Sequence, residues 1–382
     1  MSSSALGAPN VEGRAPGPGA LRFYRVERVS RIAAGTYARI AELPLEVESF
    51  ALERLELVVS SEFTRVTTVI RLRGAGQEGV GEDVTYSAFD QDSFQREGPS
   101  LPLAGSHTLH GFARALDTLE LFPEGPEMPA FYDYRRWGLE SAALDLALRQ
   151  AGMSLAAALG REPRPIRYVA SLRLGEPPST EPLRRWLELY PELRFKLDPT
   201  SGWTDDLVAE LAALGRVDIV DLKGAYKGTP VDQPPDRELY ARVADGFPAA
   251  WIEDPALTPE TDHVLEPYRD RVTWDAPIHS VEDVLALPFP SRMLNVKPSR
   301  FGQVRRLLDF YDWCAAGGVG NYGGGQFELG PGRGQIQYLA SLFHADAPND
   351  VAPAGFNEGL QPGLPTSPLR PPNEEEPGFR LY

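Results

Sequence analysis

Cysteine, positive charge, histidine and long apolar runs are all scarce in this 382-residue chain. A single cysteine, Cys314, excludes an intrachain disulfide framework and a zinc–cysteine cluster. A reducing, cytoplasmic setting is the default expectation for such a chain. Lysine and arginine number 38 against 54 acidic residues, a formal charge of −16. That balance argues against nucleic-acid backbones and anionic membranes as partners. It leaves room for an anionic small substrate, because a bound metal inverts the local field. No apolar run approaches the length of a membrane span. The opening MSSSALGAPNVEGRAPGPGA has no cationic start followed by an apolar core, so it does not read as a signal peptide. Its Gly, Pro, Ala and Ser content predicts a disordered leader over residues 1–20.

What is present falls into two grammars. FALERLELVVSS and RVTTVIRLRG read as strands, and GAGQEGVGE as a glycine-rich turn with a short strand. From Thr108 to Leu159 the pattern is helical; in YRRWGLESAALDLALRQAG, Trp137, Ala142, Leu144 and Leu148 fall near helical spacing and Gly152 is the stop. Strands followed by helices predict an α+β domain over residues 21–160. After GREPRP, short apolar strands alternate with amphipathic helices: IRYVASLRLG, LRFKLD, VDIVDLKG, AAWIEDP, RVTWDAP, RMLNVKP, VGNYGGGQFELG and a short NDVAP. Eight such units predict a parallel sheet closed into a TIM-type barrel over residues 161–353. The rival, an open doubly wound sheet, usually carries a glycine-rich turn after its first strand, and SLRLGEPPST has none. Residues 354–382, rich in Pro and Gly, are expected to pack back on the first domain.

Chemistry gathers at the strand ends. Lys297 closes an apolar strand in MLNVKPSRFG, an odd place for a residue almost never buried without a partner. Lys196, Asp221, Glu253 and Asp275 end other strands, and Glu328 lies in GGGQFELG. Glu253, Asp275 and Lys297 are spaced 22 residues apart twice over, one β/α unit each time. In a barrel such ends share one mouth. Three carboxylates from neighbouring strands suit a hard divalent cation such as Mg²⁺. Two flanking lysines suit acid–base work if their pKa values are tuned. Taken singly, each residue has a plain reading as a loop, cap or surface group; the ordered set does not.

With these motifs in view, the sequence resembles the enolase superfamily, specifically its muconate-lactonizing-enzyme subgroup, over most of its length. VGED at Val80–Asp83 looks like a Gly-x-Gly-Glu turn of the cap, WIEDP like the fourth-strand Ile-Glu-x-Pro, and NVKPSRFG like the sixth-strand Lys-Pro-x-Arg of the o-succinylbenzoate synthase and N-acylamino acid racemase branch. The resemblance implies a modified (β/α)7β barrel beneath an N-terminal α+β capping domain. It implies Mg²⁺ held by Asp221, Glu253 and Asp275, with Lys196 and Lys297 moving the α-proton of a small carboxylate substrate through an enediolate. Racemisation or epimerisation, cycloisomerisation and dehydration are all outcomes within the family, and a homo-oligomer is expected.

Several positions depart from that pattern. Arg194-Phe195-Lys196 replaces Lys-x-Lys, Asp221-Leu222-Lys223 replaces Asp-x-Asn, and Asp275-Ala276-Pro277 replaces Asp-Glu-Ser. Lys223 thus adds a cation beside the metal position. Arg300 has two readings, the substrate carboxylate or a neighbouring strand; Glu328 also has two, orienting a lysine or pairing with Arg333. LDPTSGW offers Asp198 as a rival first ligand to Asp221, at the cost of leaving VDIVDLKG without a place. No histidine lies in GNYGGGQFELG; His279 reads as a helix-entry residue, and His107 and His110 as structural. The cap segment Ala33–Glu48 is expected to shape specificity. The departures also admit a second class of function, a barrel that has lost turnover and serves as a binding or scaffold protein.

Overall fold

The computed structural model describes residues 35–61, 63–226 and 232–381; the expected leader lies outside them. Strands β2 (Ser49–Val58), β3 (Thr64–Gly74) and β4 (Gln77–Asp83) form an antiparallel sheet. Strands β1 (Pro44–Val47) and β5 (Gly105–Thr108) pair beside it. The turn from β3 to β4 is Ala75-Gly76, both at positive φ (48° and 71°), the twist a two-residue hairpin favours.

The helix Phe131–Gln150 lies on this sheet. The glycines of VGED explain how closely: a Cβ on Gly79 would sit 2.3 Å from the Ala142 carbonyl oxygen, and one on Gly81 would sit 2.1 Å from that of Gly138. The helix is buried without a break from Trp137 to Leu148, so it is enclosed on every side, more than its amphipathic spacing suggested. The chain's last segment supplies part of the enclosure. Asp145 on this helix accepts hydrogen bonds from the Phe379 backbone N–H (2.8 Å) and Arg380 Nε (2.7 Å).

The second grammar gives a parallel sheet. Strands β6 (Ala170–Leu172), β7 (Phe195–Leu197), β8 (Val217–Asp221), β9 (Trp251–Glu253) and β10 (Val272–Thr273) lie side by side in chain order. Strands β11 (Met293–Val296) and β12 (Gly320–Gly323) form a second parallel pair. Isolated parallel bridges link Trp274 to Leu294, Gly324 to Asp350, and Asn349 to Tyr168. The pairing therefore runs from the first strand region round to Asn349 and returns to it. NDVAP contributes these two bridging residues in place of a full strand. Helices follow the strands, and several start on a cap: Thr204, Thr258 and Ser280 each accept the backbone N–H three residues ahead. Such caps pin the chain where it leaves a strand. Val169, Ile219 and Tyr322 pack together as a small buried cluster apart from the main core.

Candidate active site

Asp221 and Glu253 are the last residues of β8 and β9 and stand in register. Asp254 follows, Asp275 lies two residues past β10, Lys196 sits in β7, and Lys297 follows β11 at once. The four carboxylates are fully buried, and Lys196 and Lys297 are nearly so (1% and 8% exposed). Lys196 Nζ lies 2.9 Å from Asp221 Oδ2 and 3.3 Å from Asp350 Oδ2, and it also donates to Glu253. Tyr322 donates its hydroxyl to the other Glu253 oxygen. Lys223 donates to Asp221 and lies 3.6 Å from Asp198. Asp275 accepts from Lys297 Nζ (2.8 Å), Arg300 Nη1 (2.7 Å) and the Tyr226 hydroxyl (2.8 Å).

These contacts decide which charges persist. Burial opposes the Asp221 charge, but Lys196 and Lys223 outweigh it and hold this carboxyl below the usual range. Burial likewise opposes the Asp275 charge, and Arg300 and Lys297 hold it well below. At Glu253 burial and the Asp221 charge win over Lys196, so its pKa is pushed well up. Asp254 is pushed up to about 7, by burial first and then by Asp275 and Asp221. Burial disfavours the Lys196 ammonium, yet Asp221 and Glu253 raise its pKa well above that of a free lysine.

Oxygens of Asp221, Glu253 and Asp254 lie within 4.8 Å of one another. On an octahedral Mg²⁺ neighbouring and opposed oxygens are about 3–4 Å apart, so a small movement would close this set on an ion. The nearby Asn295 amide is fully buried with neither its oxygen nor its nitrogen hydrogen-bonded, and such groups call for a polar ligand. The donor set fits a hard divalent cation. Asp254 was not among the expected ligands. Its two oxygens accept the backbone N–H groups of Asp275 (2.8 Å) and Ala276 (2.9 Å), so it sets the turn that carries Asp275. Asp275 itself faces Lys297 and Arg300, outside that cluster of three.

The other expected residues are accounted for in the same way. β8 lies between β7 and β9, so Asp221 stands on the strand next to Glu253, while Asp198 shares a strand end with Lys196 and pairs with Arg173 at 3.1 Å. Arg300 pairs with the neighbouring strand end, at Asp275. Glu328 pairs with Arg333 at 3.1 Å. Among the described part of Ala33–Glu48, Thr36 is bonded to Asp312 (2.6 Å) and Arg39 to the Leu159 carbonyl (3.0 Å). Arg65 of β3 donates to the carbonyls of Gln326 (2.9 Å) and Phe327 (3.2 Å), and Glu82 of β4 accepts the Leu329 N–H (2.7 Å). Tyr226 and Tyr322 were missed, since a tyrosine beside a strand reads first as core.

Two family models cover this chain: the N-terminal domain of DUF8230, a domain of unknown function, over residues 38–158, and its C-terminal domain over residues 162–358. The chain belongs to the DUF8230 family. This DUF8230 protein is 27% identical over 241 residues to an o-succinylbenzoate synthase of Bacillus subtilis, covering 60% of this chain and 62% of that one. It is 30% identical over 224 residues to the o-succinylbenzoate synthase of Geobacillus kaustophilus, covering 56% and 57%. The matches thus span less than two thirds of these two relatives. An N-succinylamino acid racemase of Thermus thermophilus is 26% identical over 343 residues, 83% of this chain and 84% of that one. In fold the DUF8230 protein is similar to a muconate cycloisomerase from Pseudomonas fluorescens, with a TM-score of 0.58 at 20% identity over 88% of this chain and 94% of that one. An enolase-superfamily member from Enterococcus faecalis gives 0.60 at 19% identity, again over 88% and 94%. The relatives are those of the superfamily and subgroup that the motifs resembled.

Proposed function

We propose that this DUF8230 protein is a Mg²⁺-dependent isomerase or lyase that removes the proton α to a carboxylate, working at the mouth of a closed (β/α)7β barrel under its cap. The observation that carries this reading is the pair of buried lysines, Lys196 and Lys297, set among carboxylates at neighbouring strand ends. Asp221 and Glu253 would hold the cation, with Asp275 as the third ligand if it exchanges Lys297 and Arg300 for the ion, and Asp254, already in the cluster, if it does not. Bound there, the cation would supply positive charge where negative charge develops on the substrate. The lysines are unequal: Lys196 has three carboxylate partners and Lys297 has one. Lys196 and Lys297 are the two groups that would take the α-proton and return it. Lys223 and Arg300 hold Asp221 and Asp275 and so shape the anion-binding end of the site, and Glu328 with Arg333 borders it.

The test is proton NMR in D₂O with N-acyl amino acids and cyclohexadiene carboxylates. Deuterium should enter the α-position or an alkene should form, and Lys297→Ala should slow either by about 10²–10⁴-fold. Turnover of a true substrate unaffected by Lys297→Ala would remove the base from this scheme. A second reading, a barrel that binds without turnover, has one observation in its favour: Asp221, Glu253 and Asp275 already have cation partners from the chain itself. Mg²⁺ binding with no α-proton exchange on any carboxylate would select it.

A further inference from the structure

Both oxygens of Asp221 are taken by the chain itself. Oδ1 accepts the Lys223 backbone N–H at 3.2 Å. Oδ2 meets two ammonium groups: Lys196 at 2.9 Å, and Lys223, which donates to it. An ion held by Asp221 therefore lies beside two positive charges, and at such short range each opposes it strongly. One of the two must give way. The Lys196 side chain is only 2% exposed, and it also meets Glu253 and Asp350. Lys223 stands further out, at 14% exposed. Among the described residues its one other carboxylate contact is Asp198.

Asp198 is placed to receive it. The residue is buried. Its Oδ2 accepts from Arg173 Nε at 3.1 Å, while its Oδ1 is buried with no hydrogen-bond partner. A buried carboxylate oxygen without a donor is unusual and calls for an explanation. Lys223 Nζ is 3.6 Å from this oxygen, outside hydrogen-bond range. A shift of about 1 Å would bring it to the roughly 2.8 Å of a charge-assisted bond. The backbone keeps the side chain between the two acids, because Lys223 is held at φ +53°. Such a conformation persists only where its surroundings enforce it.

Resting on the reading of Asp221 as an ion ligand, we propose that Lys223 is a movable counter-ion of this site. Its ammonium neutralises Asp221, and an incoming divalent ion drives it onto the open oxygen of Asp198. Lys223 and Asp198 are positioning residues here, and neither touches the ion. Lys223 weakens ion binding by competing for Asp221. Asp198 strengthens it by receiving the displaced ammonium. Two positions that the ligand set leaves unused, the lysine of Asp221-Leu222-Lys223 and the acid of LDPTSGW, thereby act as one device.

Calorimetric titration with Mg²⁺ alone tests this without turnover. Lys223→Met keeps the apolar stem and removes the charge, so it should bind Mg²⁺ at least about tenfold more tightly than the parent. Asp198→Ala removes the receiving oxygen and should bind at least about tenfold more weakly. Asp198→Asn loses the same charge but keeps an oxygen that can accept from an ammonium, so it should match the parent. The gap between Asp198→Ala and Asp198→Asn should close once Lys223→Met is added, because no Lys223 ammonium is left to receive. A gap that persists in the Lys223→Met background means that Asp198 acts on the fold through Arg173, and it overturns the proposal. So does a gap that never appears, or Mg²⁺ binding by Lys223→Met no tighter than by the parent. Those failures leave Asp221 as an ion ligand wherever the parent binds Mg²⁺. Absence of Mg²⁺ binding in both the parent and Lys223→Met sinks the counter-ion and the ligand assignment together.

Discussion

His344 joins helix Pro331–Phe343 to Asn349, and its protonation should be readable as a loss of stability in acid. The ring is buried at the end of helix Pro331–Phe343. Its Nδ1 lies 2.6 Å from Asn349 Oδ1, an atom that can only accept, so Nδ1 carries the proton. Nε2 is then bare and accepts from the Tyr311 hydroxyl at 3.1 Å. The same Asn349 oxygen accepts the Gly323 N–H at 2.6 Å, which ties β12 to the closing residues. Burial pushes the His344 pKa down to about 4, against about 6.5 for an unfolded histidine. Between those values the unfolded chain binds a proton that the folded chain refuses, so stability falls as pH is lowered from 6.5 towards 4. Two of those pH units, taken at pH 4.5, are worth roughly 2–3 kcal/mol. Urea unfolding of the parent and of His344→Gln at pH 7.5 and pH 4.5 measures it, because titration of distant groups cancels in the difference. The parent should lose roughly 2–3 kcal/mol more than the variant. Equal losses would show that His344 is protonated in the fold, and the assigned tautomer would be wrong.

Three further outcomes follow from the packing and the site. Gly81→Ala should cost roughly 1–3 kcal/mol by forcing helix Phe131–Gln150 off β4, seen as a lower urea midpoint with unchanged slope; a neutral effect would mean the two elements separate freely. Asp145→Ala should cost about 3 kcal/mol, since it leaves Arg149 and Arg380 without their carboxylate, and thermal unfolding that matched the parent would count against the tail's anchoring role. In Mg²⁺ titrations Asp221→Asn, Glu253→Gln and Asp275→Asn should each bind at least about tenfold more weakly, with Asp198→Asn unaffected; if Asp254→Asn loses binding and Asp275→Asn does not, the third ligand is Asp254.

Glu253, Asp275 and Lys297 were legible because two successive β/α units have the same length. Steps of 22 residues return the chain to the same mouth, so Glu253, Asp275 and Lys297 could be aligned with no coordinates. The β2–β3 pair was legible because FALERLELVVSS and RVTTVIRLRG carry their own strand signals. What could not be read lies one or two residues past a strand end, where alternation of faces stops applying. Asp254 should point away from Glu253 on a continued strand. It does not, because its φ is +47° and the chain turns there. Lys223, at φ +53°, swings back onto Asp221 in the same way, and Phe327, at φ +57°, turns the loop after β12 so that its carbonyl meets Arg65. Left-handed backbone at a non-glycine residue costs about 1–3 kcal/mol and persists only where its surroundings enforce it. Among the described residues only Ala75 shares this conformation, and there a hairpin turn explains it. The other three follow the ends of β8, β9 and β12. The strain is thus concentrated where Lys223 must reach Asp221, where Asp254 must hold the Asp275 turn, and where the Phe327 carbonyl must meet Arg65. Each is a placement that an unstrained strand exit would have aimed elsewhere.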